Sequence, residues 1–244
     1  MSLLKISGLR KDFGGLTAVL DFGLTIAKGE IVALIGPNGA GKTTIFNLIS
    51  GYLRPSGGEI LFKEENIVGL KTNQICKKGI GRTFQIVKPF LGLTVIKNVM
   101  IGAFNQTDRP DLSEERSLQV LEFLDFLDKK DYPIGSLTIA DRKRLELARS
   151  LATQPHLLLL DEVAAGLNPK ETEEIIAMIR KINQRGVTLL MIEHVMKTIT
   201  SLADRIVVIN YGMKIAEGKP FEVLRDPNVV KAYLGEAYQI AENQ

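Results

Sequence analysis

Short apolar runs divided by glycine, proline and polar turns make up most of the hydrophobic pattern of this chain. Residues 31–35 and 157–160 are apolar without interruption, as parallel strands are when both faces of their sheet are buried. Further strands are predicted at residues 4–6, 18–26, 59–62, 81–85, 187–192 and 205–209. The strand at 205–209 is expected to be the last one.

Apolar residues three and four positions apart predict helices between these strands. Helices are expected at residues 44–49, from residue 72, at 95–103, 113–127 and 141–152, from residue 169, and as two short helices before residue 234. Thr94, Ser113 and Asn168 are suited to cap the helices that follow them, and Pro169 suits a first helical turn. In the helix at 141–152, leucine and alanine are expected to face inward and the charged residues outward.

The alternation of strands and helices favours an α/β fold with a mainly parallel sheet. Residues 89–154 form a predicted helical subdomain inserted into this fold. Residues 1–88 and 155–244 then form a single, discontinuous α/β core.

Composition narrows the class of protein. A chain of 244 residues can bury a substantial core, and its formal charge of +3 is too small to argue for nucleic acid or an anionic membrane surface. Cys76 is the only cysteine, so no internal disulfide can form, which suits a reducing compartment. We expect no signal peptide and no bilayer-spanning segment, so any membrane role would depend on a partner.

A glycine-rich loop follows the apolar run at residues 31–35. Residues 36–43 read G-P-N-G-A-G-K-T and fit the phosphate-binding pattern G-x-x-x-x-G-K-S/T. Lys42 would contact the terminal phosphates of a nucleotide and Thr43 would ligate Mg²⁺; a glycine-rich turn without a ligand is the alternative. The expected phosphate-binding residues are Gly36, Pro37, Asn38, Gly39, Ala40, Gly41, Lys42, Thr43 and Thr44.

Two carboxylates follow the second uninterrupted apolar run. Asp161 would hold Mg²⁺ directly or through water, and Glu162 would act as general base on the attacking water. An acid pair that merely faces solvent is the alternative. Because ligands of parallel α/β sheets bind at the carboxyl ends of the strands, Gly36 and Asp161 are expected at the same edge.

Three further candidates have weaker individual signals. His194 follows the strand at 187–192 and would contact the γ-phosphate or hold the attacking water in line. Gln85 would sense Mg²⁺ and the water through its amide, and Phe13 would stack on adenine. Taken alone, an ordinary structural role explains each of the three as well or better.

The order of these motifs resembles that of an ABC-type ATPase subunit over essentially the whole chain. More narrowly, residues 13–16, 36–53, 81–85 and 232–236 are similar to the ATPase subunits of branched-chain amino acid importers. The resemblance implies a P-loop core with a mainly parallel sheet, an antiparallel N-terminal β region and a helical insertion.

The same resemblance implies a working assembly. Two ATPase subunits, identical or paralogous, would pair head to tail with two ATP molecules and Mg²⁺ between them. Their closing and reopening would drive transmembrane permease subunits through a groove near Gln85. A solute-binding protein would be an indirect partner, nucleic acid would not be one, and the subunit would lie on the cytoplasmic face of the cell membrane.

The signature motif departs from the family pattern. The usual Leu-Ser-Gly-Gly-Gln corresponds to residues 137–141, of which Leu137, Thr138, Ala140 and Asp141 are expected to contact the ATP of the partner subunit. Thr138 keeps a hydroxyl, whereas Ala140 adds a methyl group near a phosphate and Asp141 adds a negative charge. The basic residues 142–144 either offset that charge or form a solvated face, and we favour the solvated face.

Three alternatives to such an importer remain open at this point. An ABC-type ATPase acting on ribosomes or DNA is one, although no fused second nucleotide domain or long coiled coil is visible in the sequence. A nucleotide-binding partner that weakens the composite site of a paralogue is another, since the signature is altered. An exporter, or an importer of urea, amides or other small solutes, would share the same catalytic motifs.

Overall fold

The computed structural model of this protein describes residues 2–84 and 89–234. Its strands are β1 (Ser2–Phe13), β2 (Leu16–Ala27), β3 (Ile31–Ile35), β4 (Gly57–Phe62), β5 (Glu65–Asn66), β6 (Ile80–Arg82), β7 (Leu157–Asp161), β8 (Thr188–Ile192), β9 (Arg205–Asn210) and β10 (Met213–Gly218). Its helices are α1 (Lys42–Ile49), α2 (Thr72–Lys78), α3 (Val95–Ala103), α4 (Pro110–Phe123), α5 (Ile139–Ala152), α6 (Pro169–Gln184), α7 (Met196–Leu202), α8 (Pro220–Val223) and α9 (Pro227–Leu234).

The chain divides into two compact units, residues 1–70 with 190–244 and residues 71–189. In the first unit, β2, β1, β4 and β5 lie in that order in an antiparallel sheet. Strand β9 of the same unit pairs in parallel with β3 and antiparallel with β10. The predicted antiparallel N-terminal β region is therefore confirmed.

Strand β3 positions the glycine loop. All five of its residues are buried, as the uninterrupted apolar run predicts for a strand covered on both faces. Its register with β9 places Val32 opposite Arg205 and Ile35 opposite Val208. Six residues separate the end of β3 from the start of α1, and α1 buries its apolar face, so the intervening loop is held at both ends.

The second unit positions the carboxylates. Strands β6 and β7 are parallel, with Ile80 opposite Leu157 and Arg82 opposite Leu159. All five residues of β7 are buried, and Asp161 is the last of them. Helices α3, α4 and α5 pack on one another in this unit, around fully buried side chains that include Val95, Val99, Leu121, Leu145 and Ala148.

Of the three predicted helix caps, Ser113 is wrong, Thr94 lies at the N-cap without a side-chain hydrogen bond, and Asn168 is confirmed. Ser113 lies inside α4, which starts at Pro110, and its hydroxyl donates to a backbone carbonyl of α3. Thr94 precedes α3, but its Oγ1 is buried and has no hydrogen-bond partner in the described part of the chain. Asn168 is confirmed as the cap of α6, since its Oδ1 accepts a hydrogen bond from the Glu171 N–H at 3.0 Å.

Two strand predictions are wrong, one about where a strand ends and one about which strand is the last. The strand predicted at 81–85 stops at Arg82, because the N–H of Phe84 donates to the Glu146 carboxylate instead of to a neighbouring strand. Strand β9 is not the last one, because β10 follows it. The sequence of β10 does not alternate clearly, since Lys214, Glu217 and its other residues are all partly or fully exposed at a sheet edge.

The sequence led us to expect that the charged residues of α5 all face outward. Two of them do not. Lys143 and Glu146 retain only 6% and 5% of their exposure. Each has a specific partner in the second unit, described below, which compensates for the loss of hydration.

The domain boundaries predicted from the sequence, residues 1–88 with 155–244 and residues 89–154, stay a prediction. Among the helices of the described ranges, none combines the length and apolar character that crossing a bilayer requires.

Candidate nucleotide site

The loop between β3 and α1 requires glycine at two positions. Gly36 has a φ of 155° and Gly41 a φ of 105°. A Cβ atom on Gly36 would lie 2.1 Å from the carbonyl oxygen of Ile209, and one on Gly41 would lie 2.6 Å from that of Ala18. Only glycine therefore lets the backbone wrap this tightly.

Helix α1 begins with backbone donors directed out of its N-terminus. Its N-cap, Gly41, supplies no side chain, and its first turn contains no acidic residue. The N–H groups of Lys42, Thr43 and Thr44 have no acceptor within the helix, and the helix dipole adds positive potential at the same end. This terminus is suited to an anion such as a phosphate group.

Lys42 places a cation inside the curve of the same loop. Its Nζ donates to the carbonyl oxygens of Gly36 and Pro37 at 2.7 and 2.8 Å. The ammonium is therefore already positioned next to the helix N-terminus, where it would add charge-assisted hydrogen bonds to a polyphosphate.

A cavity of about 910 Å³ lies beside the loop, within the first unit. It is lined by Pro37, Asn38, Gly39, Ala40, Asn210, Tyr211, Ile215, Asn228, Lys231 and Ala232. Burial raises the pKa of the hydroxyl of the neighbouring Tyr233, on α9, and the backbone N–H of Gly36 opposes this shift. Helix α9 thus interacts with the first residue of the loop.

Phe13 and His194 also belong to the first unit. Phe13 is the last residue of β1; it is 44% exposed, and the Lys11 Nζ lies 5.0 Å from its ring centroid. His194 is exposed, two residues beyond the end of β8. Both side chains are accessible to a ligand, and Gln85 lies outside the described residues.

Asp161 is a buried carboxylate at the carboxyl end of β7. Its Oδ2 accepts a hydrogen bond from the Arg82 Nη2 at 3.2 Å, and its N–H donates to the Thr83 Oγ1 at 3.0 Å. Burial raises the pKa of Asp161 above its ordinary value, although the Arg82 guanidinium opposes the shift. A second cation at this carboxylate would therefore be favourable.

Glu162 follows directly and has a left-handed backbone, with a φ of 50°. A non-glycine residue in this conformation is uncommon and costs free energy. Its carbonyl oxygen accepts a hydrogen bond from the Nζ of Lys143 at 2.9 Å, which explains why Lys143 is buried. The solvated face that we favoured for residues 142–144 is thus wrong at Lys143, which fixes the backbone of Glu162.

The signature residues form the N-terminus of α5. Thr138 is the N-cap, and its Oγ1 accepts a hydrogen bond from the Asp141 N–H at 3.1 Å, while the Asp141 Oδ2 accepts one from the Thr138 N–H at 3.2 Å. The other oxygen of Asp141 pairs with the Lys129 Nζ at 2.6 Å. Leu137 is buried and Ala140 is half-buried. This helix end therefore satisfies several of its own donors.

The side chains available for a metal ion suit Mg²⁺, which needs few protein ligands, better than a metal that is coordinated entirely by protein side chains. No cluster of three or more histidine, cysteine or acidic residues that could hold a metal occurs within residues 2–84 and 89–234. Mg²⁺ is commonly held by one or two carboxylates with substrate phosphates and water. Asp161 in the second unit and the hydroxyl of Thr43 in the first unit are each an oxygen ligand of that kind.

Known proteins resemble this chain along nearly all of its length. A family model described as ABC transporter matches residues 19–165, and one described as branched-chain amino acid ATP-binding cassette transporter matches residues 213–239. The chain belongs to the ABC transporter ATP-binding family. It is accordingly an ATPase, and the predicted fold class and activity are confirmed.

Individual relatives of this ABC ATPase agree with the family models. It is 43% identical to the high-affinity branched-chain amino acid transport ATP-binding protein LivG of Salmonella typhimurium, over 96% of this chain and 98% of that protein. A nucleotide-free ATP-binding cassette from an ABC transporter superposes with a TM-score of 0.89 at 31% identity, covering 97% of this chain and all of that one. A dimeric cassette bound to ADP and phosphate has a TM-score of 0.80 at 25% identity, covering 89% of this chain and 98% of that one.

Sequence reasoning missed three residues of the ABC ATPase site. Arg82 pairs with Asp161, Lys143 holds Glu162, and Tyr233 interacts with Gly36. A signal existed for Lys143, because it lies four residues before the fully buried Leu147 on the same helix face. No local pattern distinguishes Arg82 or Tyr233 from an ordinary surface residue.

Proposed function

We propose that this chain is the ATP-hydrolysing subunit of an importer of branched-chain amino acids. The observation that carries the solute class is the match to branched-chain amino acid transporters at both levels, in the C-terminal family model and along the full length of LivG. Two such subunits pair and act on a transmembrane permease that receives its solute from a solute-binding protein. The subunit lies on the cytoplasmic face of the membrane, and nucleic acid is not a partner.

The phosphate loop is the proposed site for the phosphates of ATP. Support comes from the outward donors of α1, the Lys42 ammonium inside the loop and the adjoining cavity. The residues that bind the nucleotide are Gly36, Pro37, Asn38, Gly39, Ala40, Gly41, Lys42, Thr43 and Thr44, with Phe13 stacked on the base. The exposed ring of Phe13 suits stacking on adenine.

Thr43, Gln85 and Asp161 are the proposed holders of Mg²⁺. When bound, the ion neutralises charge that develops on the β- and γ-phosphates. Burial of Asp161 supports this role. It raises the pKa of the carboxyl group although Arg82 opposes the shift, so a further cation would stabilise the charged carboxylate.

Glu162 is the proposed general base for the attacking water, with His194 and Gln85 orienting the water and the γ-phosphate. Support comes from the left-handed backbone of Glu162 and the buried Lys143 that fixes its carbonyl. A strained residue held by a buried ion is typical of a site whose geometry matters for chemistry.

Leu137, Thr138, Ala140 and Asp141 are proposed to face the ATP of the partner subunit. The hydroxyl of Thr138 and the backbone of α5 are the available donors. Because Asp141 adds negative charge at this helix end, a second candidate function is a subunit that weakens the composite site of a more active paralogue. The capping arrangement of Asp141 favours keeping this second candidate.

Exchange of Glu162 for glutamine tests the proposed mechanism. We expect Glu162→Gln to lower steady-state turnover by at least about a hundredfold, the lower range for loss of a general base, while ATP affinity is retained and an ATP-bound dimer accumulates. Glu64→Gln is a matched control, because Glu64 is also an acid with a left-handed backbone, with a φ of 66°. Normal turnover in Glu162→Gln would show that another group is the base.

Recovery of the partners tests the proposed assembly. Purified from membranes, the subunit should carry a permease with it, and leucine-loaded solute-binding protein should stimulate ATP hydrolysis by the reconstituted complex. Co-purification with ribosomes in place of a permease would contradict the importer. Stimulation by another solute alone would contradict only the solute class.

A further inference from the structure

We propose that the second unit contains a binding site for a small aliphatic carboxylate. It lies at the N-terminal end of β7, whereas Asp161 lies at the C-terminal end. The site is a cavity of about 310 Å³, at the lower end of the size range of small-molecule pockets. Helix α4, the ends of α5 and α6, and the turns that lead into β7 and β8 form its wall. Leu151, Gln154, Pro155, Gly186 and Val187 are part of this wall.

The charged lining of the cavity is cationic. Arg116 and Arg185 line it, and no aspartate or glutamate is among the lining residues. An anion is therefore the ligand whose charge complements this surface. The α-ammonium of a free amino acid would meet no counter-charge from the lining.

Arg116 has an unused donor at this cavity. Its Nη1 is buried from solvent and makes no hydrogen bond to any residue in the described ranges. A guanidinium with an unsatisfied buried donor is short of negative charge, so an anion at the accessible part of the Arg116 side chain would be favourable. Guanidinium groups bind planar carboxylates through two parallel hydrogen bonds, so a carboxylate suits Arg116.

Arg185 is positioned by an aromatic ring. Its guanidinium carbon lies 3.5 Å from the centroid of Phe123. A cation this close to a ring face is attracted by the ring, which helps to hold the guanidinium beside the cavity. The two arginines thus come from different helices, with Arg116 inside α4 and Arg185 at the C-cap of α6.

The remainder of the wall is largely apolar. Val120, Phe123, Ala152 and Ile182 line the cavity, and Val120 and Phe123, which are half-buried, present apolar surface to it. An inorganic phosphate ion would leave this apolar surface without a partner, whereas an aliphatic chain would cover it. The combination of a cationic side and an apolar floor therefore favours an aliphatic carboxylate without an amino group.

The proposed site is separate from the carboxylates of the nucleotide site. His156 precedes β7, and Asp161 ends it. At the rise of a parallel strand, about 16 Å separates the two residues. The inference does not depend on the proposed transport function, because it concerns only the binding of a ligand to this unit.

Titration calorimetry of the full-length protein without nucleotide tests the proposal. The probe is 4-methylpentanoate, which has the carbon skeleton of leucine without its ammonium group, and the comparison ligands are leucine and inorganic phosphate. We expect 4-methylpentanoate to bind and Arg116→Gln to weaken binding about tenfold or more, as the loss of a charge-assisted hydrogen bond does. Arg180→Gln, on the exposed face of α6, should bind as the wild type does.

A second variant keeps the test decisive if Arg116→Gln fails to fold. Gln119→Glu changes an exposed residue of α4 that lines the cavity, without changing its size, and it introduces a carboxylate beside the site. It should also weaken binding of 4-methylpentanoate severalfold. Undetectable binding of 4-methylpentanoate, equal binding of leucine or phosphate, or unchanged binding in Arg116→Gln and Gln119→Glu would overturn the proposal.

Discussion

Two helix N-termini of this protein, those of α1 and α5, are both proposed to meet phosphate groups, and they are built differently. Helix α1 starts after Gly41, has no side-chain cap and has no acid in its first turn. Helix α5 starts with a capping box in which Thr138 and Asp141 satisfy each other's N–H groups. The end of α1 is left for an external anion, whereas the end of α5 already carries its own.

From this difference we infer that the two ends would contribute unequally to the proposed composite site. A phosphate at α1 gains backbone donors, the helix dipole and the Lys42 ammonium together. A phosphate at α5 must approach an existing carboxylate, which Lys129 neutralises only in part. We therefore infer that α1 supplies most of the affinity for nucleotide and that α5 limits how tightly a second subunit closes.

The largest effect should come from removing the cation at α1. Lys42→Ala should lower ATP affinity about a hundredfold or more, because charge-assisted hydrogen bonds to two phosphate groups are lost. Isothermal calorimetry with ATP and Mg²⁺ measures it, with Lys28→Ala as a control at an exposed lysine. Undiminished ATP binding in Lys42→Ala would remove the contrast between the two helix ends.

A second effect concerns Glu146, which lies in α5 like Asp141 but has a raised pKa. Burial raises the pKa of Glu146 to about 7 from its ordinary 4.5, a shift that the Phe84 N–H, Lys143 and Arg149 oppose and that Asp161 reinforces. The folded protein then holds this proton more tightly than the unfolded chain. Its contribution to the free energy of unfolding should decline as the pH rises from 4.5 to about 7 and be constant above that.

Glu146→Gln should remove this pH dependence, which we expect to be on the order of 2 kcal/mol. Urea unfolding at about pH 5 and about pH 7.5 compares the variant with the wild type. Glu115→Gln, an exposed residue of α4, should keep the wild-type slope. An identical slope in Glu146→Gln would mean that the carboxyl is charged in the folded protein throughout this range.

The smallest effect should come from the carboxylate at the end of α5. Although burial opposes the shift, hydrogen bonds from Lys129 and Thr138 hold the pKa of Asp141 below its ordinary value of 3.8. Its stabilisation is therefore present above that pH and is lost as the pH falls through the lowered pKa. Asp141→Asn should lower the free energy of unfolding by about 1 kcal/mol, since it removes the charge that faces Lys129 and the helix dipole.

The same variant should raise the ATPase rate of the paired subunits a few-fold, because the phosphate no longer faces a negative charge. Measuring rate against protein concentration distinguishes tighter pairing from a faster single subunit. A loss of stability with no change in rate would show that Asp141 is a structural cap only, and the inferred limit at α5 would be wrong.

The sequence predicts most accurately what depends on local spacing. The wholly buried β3 and β7, the cap at Asn168 and the glycine loop follow from uninterrupted apolar runs and short motifs. The contacts of Arg82, Lys143 and Tyr233 could not be predicted in this way, because each partner lies at least 19 residues away along the chain. Strand β10 was missed because an edge strand that is partly exposed throughout need not alternate.

The paired strands β3 and β9 are synthesised at very different times. The Ile31 N–H donates to the Asp204 carboxylate at 2.8 Å, across 173 residues of chain. At a synthesis rate of 5–20 residues per second, β3 leaves the ribosome roughly 10 to 30 s before its neighbour does. During translation, this fully apolar strand is therefore made well before the parallel strand that pairs with it.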